Sequence, residues 1–144
     1  MIDLTNDVHI KRPVETVWST VGDPTRWHRW RGAMTAPAER PDEGQVEAGM
    51  VFSYRSAFMG REVETEMEVV AYEAGCQIAV TADKPVPVRF RFRCEAAGDR
   101  TRVVQETQGE VGGFFGVAEP LIKPLMKRQF QKDLDALKAM LEDG

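Results

Sequence analysis

The sequence predicts an α+β fold: a curved, seven-stranded antiparallel sheet wrapped around one long C-terminal helix, with two short helices after the first strand. Three observations predict it. Short segments with apolar residues at every second position fill the chain from Met34 to Val111, and one more opens it. Gly or Pro stands at each break between them, at the short spacing of a meander. The only long helical period lies at the C-terminus, and an apolar helix stripe needs an apolar sheet face to cover it.

The first segment places Ile2, Leu4, Val8 and Ile10 on one parity and Asp3, Thr5, Asp7 and His9 on the other, which makes a strand with one dry face. Asn6 falls on the dry side, either as a satisfied polar group or as part of a pocket lining. In "RPVETVWSTVGDPTRWHRW", Pro13 suits a first helical turn, and Val14, Val17, Trp18 and Val21 recur at helical spacing. Gly22 ends that helix, and Asp23 caps a second, very short one with Pro24 in its first turn. "APAERPDEGQVEAG", residues 36–49, reads as a long surface loop, and Pro37 confines the strand before it to an edge or a short length. "MVFSYRSAF", "REVETEMEVV", "CQIAVTAD", "VRFRFRC" and "TRVVQETQGEV" then follow as strands. In the tail, Leu121, Leu125, Phe130, Leu134, Leu137 and Leu141 form a stripe, opposite Lys123, Lys127, Arg128 and Lys132. Either the helix starts at Pro124, or it starts near Pro120 and kinks at Pro124; the second is preferred.

At 144 residues, with 42% hydrophobic and 29% charged residues, the chain fits a single domain, residues 1–144. A formal net charge of −4 argues against nucleic acid as a partner, since a basic face supplies most of that affinity. The N-terminus has no secretory layout, and no apolar run approaches the about 20 residues of a membrane span, so integral membrane association is not expected. Cys76 and Cys94 are too few and too far apart for a disulfide framework or a zinc site. A reduced, cytoplasmic protein fits best.

Glu62, Glu64, Glu66 and Glu68 share one strand face, while Val63, Thr65, Met67 and Val69 share the other. The glutamate face cannot be buried without a large desolvation cost, so it marks the solvent side. Arg89, Arg91 and Arg93 repeat the pattern, with Phe90, Phe92 and Cys94 opposite. With "QIAVTAD" between the two strands, the acidic and basic rows would lie roughly 10 Å apart and attract weakly. Exposed rows at this spacing seldom converge on one ion, so no metal is expected.

"IKRPVETVWSTVGDPTRWHRW", "VEAGMVFSYRSAFMGREVETEMEVVAYEAG", "GDRTRVVQETQGEVGGFFG" and "FQKDLDALKAMLE" together resemble a bacterial polyketide cyclase/dehydrase-like protein of the START-like (SRPBCC, helix-grip) superfamily. The most specific part is "RPVETVW…DPTRWHRW". The resemblance covers nearly all of the chain and implies a hydrophobic cavity between the sheet and the C-terminal helix. It bears on activity far less than on fold, because that superfamily spans carriers, cyclases and co-chaperones. Carried onto this sequence, the ligand-binding candidates are Phe52, Tyr54, Thr65, Met67, Phe90, Phe92, Gln105 and Thr107 on the strands, and Phe115, Ile122, Met126 and Phe130 at the helix. Trp27 and Trp30 close one end, and Phe58, Val63, Val103, Phe114 and Gln129 share the inward parity or the helix approach. Each apolar candidate is as readily a core residue. The polar ones, Tyr54, Thr65, Gln105 and Thr107, are costly in a dry core without partners and suit a small-molecule site.

No catalytic set stands out. His9 has outward parity, and His28 is expected to be exposed between two inward tryptophans. No pair of carboxylates falls on the inward parity. Cys94 reads as an inert buried thiol. No cofactor is implied. Three functions stay open: binding of a hydrophobic small molecule (lipid, polyketide, quinone or aromatic), a polyketide cyclase/dehydrase-type enzyme using Tyr54 and Gln105, and a protein-interaction module, in a monomer or homodimer. "GGFFGVAEP", residues 112–120, has the composition of a movable lid.

Overall fold

The computed structural model describes residues 1–40, 44–84, 86–110 and 112–143. Residues 41–43 of the expected surface loop, with Pro85, Val111 and Gly144, lie outside the described residues. The elements run β1 (Ile2–Ile10), α1 (Val14–Val21), a 3-10 helix (Pro24–Arg29), β2 (Val51–Phe58), β3 (Arg61–Glu73), β4 (Gln77–Ala82), β5 (Val88–Ala97), β6 (Arg100–Gly109), α2 (Gly112–Phe115) and α3 (Glu119–Asp143). The strands form one sheet in the order β1-β6-β5-β4-β3-β2, antiparallel throughout. The fold class is therefore the expected one: an open antiparallel sheet with a long C-terminal helix.

The sheet has six strands, not seven. The segment before residue 40 does run beside β2, but only isolated bridges form, Met34 with Ser56 and Glu39 with Ser53. Thr35 and Glu39 donate their backbone N–H groups to Arg55 and Ser53. Pro37 stands between them with no N–H to donate, and the pairing register differs on its two sides, so no continuous ladder closes.

The local chemistry of the other elements is direct. Gly22 caps α1, and a Cβ there would fall 2.3 Å from the Trp18 ring, so only glycine lets that ring lie over the turn. Asp23 caps the 3-10 helix by accepting from the Thr25 N–H at 3.0 Å. Met59 and Gly60 join β2 to β3 with φ of 52° and 78°, the pairing that a tight two-residue hairpin requires. In β3 the register shifts between Val69 and Ala71. That bulge adds one residue, so Thr65, Met67 and Val69 are buried before it and Tyr72 turns inward after it, against Trp18.

Helix α3 starts at Glu119 and runs on through Pro124, whose missing N–H leaves the Pro120 carbonyl without its usual partner. Its buried stripe is Ile122, Met126, Phe130, Asp133, Leu134 and Leu137. Leu121 and Leu125, expected on that stripe, are instead 66% and 42% exposed. Steps of four through Ile122, Met126 and Phe130 place those two leucines on the neighbouring flank. Among the described residues no helix is long and apolar enough to cross a membrane. The helix lies along β1 and is fastened to it by polar bonds. Asn6 Nδ2 donates to Lys127 O and Gln131 Oε1, Gln131 Nε2 donates to Asp7 O, and Lys138 Nζ donates to His9 O. Asn6, buried on the dry face, is thus a fastening between sheet and helix.

Gly109 pairs with Ile2 on one side and Val88 on the other. A Cβ there would stand 2.9 Å from the Pro87 carbonyl oxygen, a backbone atom that cannot swing away. Gly109→Ala is expected to lower the unfolding free energy by about 1–3 kcal/mol, read from the urea midpoint at unchanged slope. An unchanged midpoint would show that the β5–β6 crossing relaxes freely.

Candidate functional site

The inner face of the sheet is only partly filled. Between it, α2 and the first half of α3 lies a cavity of about 100 Å³. Strand β2 contributes Tyr54, Ser56 and Phe58, and β3 contributes Val63, Thr65 and Met67, alternate residues in each case. Val88 and Phe90 of β5 and Val86 just before it form the floor. Helix α3 adds Met126 and, one turn on, Gln129 and Phe130, and α2 adds Phe114 and Phe115. Arg31 and Ala33, from the loop after the 3-10 helix, complete the wall. An engineered cavity of about 150 Å³ in another protein accepts benzene, so this space suits a single ring or a short chain as it stands.

Of the residues singled out from the sequence, Tyr54, Phe58, Val63, Thr65, Met67, Phe90, Phe114, Phe115, Met126, Gln129 and Phe130 line this cavity. The others lie in the packed core behind it. Trp27, Trp30, Phe52 and Phe92 form an edge-to-face cluster with ring centroids 5.0–5.9 Å apart. Trp27 Nε1 donates to Val21 O at 2.8 Å, which ties the cluster to the end of α1. Gln105 Nε2 donates to Thr107 Oγ1 at 3.2 Å, so these two inward polar groups partner each other. Ile122 is fully buried in the α3 stripe. Thr65 Oγ1, at the cavity wall, donates to Lys84 O at 2.7 Å.

The outer face carries the charged rows. Glu62, Glu64, Glu66 and Glu68 are all exposed. In the arginine row, Arg93 pairs with Glu106 of the adjacent strand at 2.8 Å and with Glu95 of its own strand at 3.0 Å. The glutamate row meets Arg55 of β2, 3.7 Å from Glu64. Among the described residues no three His, Cys, Asp or Glu side chains stand together as metal ligands. His9 is exposed as expected, but His28 is only half-exposed and its Nδ1 is sealed from solvent. Cys94 is buried, and burial pushes its thiol up to about 12, which keeps it protonated and unreactive.

Two charged residues that sequence patterning passed over are buried here, Arg31 in the cavity wall and Asp133 behind it. Arg31 is 2% exposed, and its guanidinium carbon lies 4.6–5.9 Å from the rings of Trp27, Tyr54, Phe90, Phe92 and Phe130. Asp133, also 2% exposed, faces the same loop from α3. Its Oδ1 accepts from the Gly32 N–H at 2.9 Å and from Gln129 Nε2 at 2.8 Å. Gly32 permits that approach, since a Cβ there would reach within 3.0 Å of Gln129 Nε2. Arg31 reads as one more cation in a basic run. Asp133, however, had a signal: it stands three residues after Phe130 and four before Leu137, on the apolar stripe.

Burial raises the Tyr54 phenol above its ordinary value, and the adjacent Arg31 charge works against that rise. Burial likewise raises the Asp133 carboxyl, opposed by the Gly32 N–H, Arg31 and Gln129. A carboxyl raised on folding favours the native state below its unfolded value, and that contribution is lost as pH climbs through the folded value. Asp133→Asn keeps the Oδ1 acceptor and removes the charge. Relative to the parent, its melting temperature is expected to improve steadily between about pH 4 and about pH 7. Parallel melting curves over that range would mean that burial of the charge costs nothing.

The sequence matches the family described as "Polyketide cyclase / dehydrase and lipid transport" over residues 1–142. Among curated proteins, none matches. Similar solved structures include a START superfamily protein from Mycobacterium smegmatis, with 16% identity, 99% of each chain covered and a TM-score of 0.77. A Thermus thermophilus protein is alike at 16% identity, 96% coverage of each chain and a TM-score of 0.77. The Zhui aromatase/cyclase from a Streptomyces species is alike at 16% identity over 97% of this chain and 93% of that one, with a TM-score of 0.74. At these identities the structures speak for the fold alone. With nearly every residue inside the match, the chain belongs to the polyketide cyclase/dehydrase and lipid transport family.

Proposed function

We propose that this protein binds a hydrophobic small molecule in the cavity between the sheet and α3, with Tyr54, Thr65, Met67, Phe90, Phe115, Met126 and Phe130 against the ligand. The observation that carries the reading is the wall itself: phenylalanine, methionine and valine side chains surround unfilled space, with polar groups confined to a few positions. Trp27, Trp30, Phe52, Phe92, Gln105, Thr107 and Ile122 serve this reading as the packed shell that holds the wall in shape. A lipid, polyketide, quinone or aromatic compound all meet the apolar requirement, and anything longer than one ring needs α2 to give way. A second reading, a cyclase/dehydrase-type enzyme in the same cavity, draws on Tyr54: its phenol stands beside both Arg31 and Asp133, close enough for a proton donor with a tunable neighbour. The interaction-module reading requires a filled interior, and the cavity speaks against it.

Filling the space tests the reading. Ala33→Phe places a ring in the cavity from its rim, and is expected to lower the affinity for a fluorescent apolar probe at least about tenfold. Glu64→Gln, on the outer face, leaves the affinity unchanged. Equal binding by parent and Ala33→Phe would move the ligand site elsewhere.

Access is expected through α2. Phe114 and Phe115 stack edge to face at 5.1 Å, and Phe115 meets Phe58 at 5.5 Å. Arg61 holds the segment from β3: its guanidinium lies 4.5 Å over the Phe114 ring and donates to the Phe114 carbonyl. Trimming Phe114 and Phe115 to Ala should speed probe uptake several-fold in stopped flow while Kd changes less. An unaltered uptake rate would remove α2 as the gate.

A further inference from the structure

We propose that the ligand of this cavity carries a carboxylate, which lies against the guanidinium of Arg31 while the apolar body of the molecule fills the space towards α2. This rests on the reading of the cavity as a ligand site. Arg31 lines the cavity yet is almost wholly removed from solvent, and neither its Nε nor its Nη1 reaches an acceptor. Aromatic rings surround the guanidinium at up to 5.9 Å and offer it their π-faces. A ring face cannot satisfy the in-plane N–H groups, which need oxygen lone pairs.

Asp133 does not supply them. Its Oδ1 is held by the Gly32 N–H and Gln129, and its Oδ2 makes no hydrogen bond. Among the described residues, no ion pair within 4.0 Å joins it to Arg31. The loop and α3 therefore pin the carboxylate short of the guanidinium, and a residue of the cavity wall keeps two donors unmet. Arginine matches a carboxylate in shape as well as charge, because its planar fork meets two oxygens at once. A buried cation with unmet donors beside an apolar wall is the chemistry that recognises an amphipathic acid. A neutral lipid or hydrocarbon would leave those donors unmet, a recurring desolvation penalty.

The test compares two ligands of one shape, trans-cinnamate and cinnamamide, by calorimetric or NMR titration near neutral pH. The parent is expected to bind the acid about 10- to 100-fold more tightly than the amide. In Arg31→Met that preference should collapse to within about twofold, with the amide affinity held. Equal affinities in the parent would overturn the inference but leave the cavity reading standing. So would a preference for the acid that survives in Arg31→Met. Binding of neither compound, nor of an apolar probe, would overturn the cavity reading and this inference with it. If Arg31→Met does not fold, the parent's own Arg31 Nε–H resonance decides: it should move on adding cinnamate and stay put with cinnamamide. Saturation with the acid while that resonance stays fixed would also overturn the inference.

Discussion

A single helix is too narrow for this sheet. An α-helix with its side chains is about 10–12 Å across, whereas six strands at about 4.8 Å spacing present a face roughly twice as wide. Helix α3 is fastened along β1, at one edge of that face, by the Asn6, Gln131 and Lys138 bonds. Strands β2 to β5 must therefore be covered by something else. At one end, α1 and the short helix after it press Trp27 and Trp30 onto Phe52 and Phe92 and pack the space solid. At the other end only the four residues of α2 are available, and they leave the cavity. The site is thus a consequence of covering a wide curved sheet with one rod and two unequal pieces of chain.

The placement of Arg31 follows from the same geometry. The chain leaving the short helix must pass between the aromatic cluster and α3 to reach the edge of β2. Arg31 is held there by its own N–H to Trp27 O, and Gly32 next to it meets Asp133. Burial of an isolated cation is expensive, by several kcal/mol even after relaxation. The aromatic faces and the facing carboxyl offset part of that cost, and the unmet in-plane donors are what is left over. A core built for stability alone would be better served by an apolar residue at this position. The charge therefore marks the closed end of the cavity as chemically different from its mouth.

How far the sequence revealed this depends on the physical signal involved. Alternation is a strong signal, because one face of a strand meets water and the other does not. The glutamate row of β3 and the buried Thr65, Met67 and Val69 were legible for that reason. A helix stripe is a weaker signal, because apolar residues also occur on its flanks. Leu121 and Leu125 competed with Ile122 and Met126, and only the sheet's position decides between them. Parity likewise shows which residues face inward, but not where filling stops: Phe90 and Phe92 share a face, yet only Phe90 borders the cavity. Pro37 was legible as a limit on strand length, but not that its neighbourhood would be reduced to isolated bridges. Arg31 and Asp133 were hidden because charge is ordinarily read as exposure, and only the packing of three separate elements reverses that rule.

The two ends of the cavity differ in how firmly they are built. At the Arg31 end, the walls are tied by buried or part-buried bonds: Trp27 to Val21, Gly32 to Asp133, Thr65 to the Lys84 carbonyl. At the α2 end the helix is one turn long, opens on a glycine pair and is closed by Gly116 at a φ of 70°. Its ties are the Phe115 ring against Phe58, a cation over a ring and one exposed donor to a carbonyl, the last two from Arg61. Helix α3 is also locally weakened near this end, where Pro124 leaves the Pro120 carbonyl unclaimed. Opening at α2 therefore breaks few interactions, while opening at Arg31 would break the core. A ligand large enough to need more than the resting volume must enter past Phe114 and Phe115 and meet the guanidinium last.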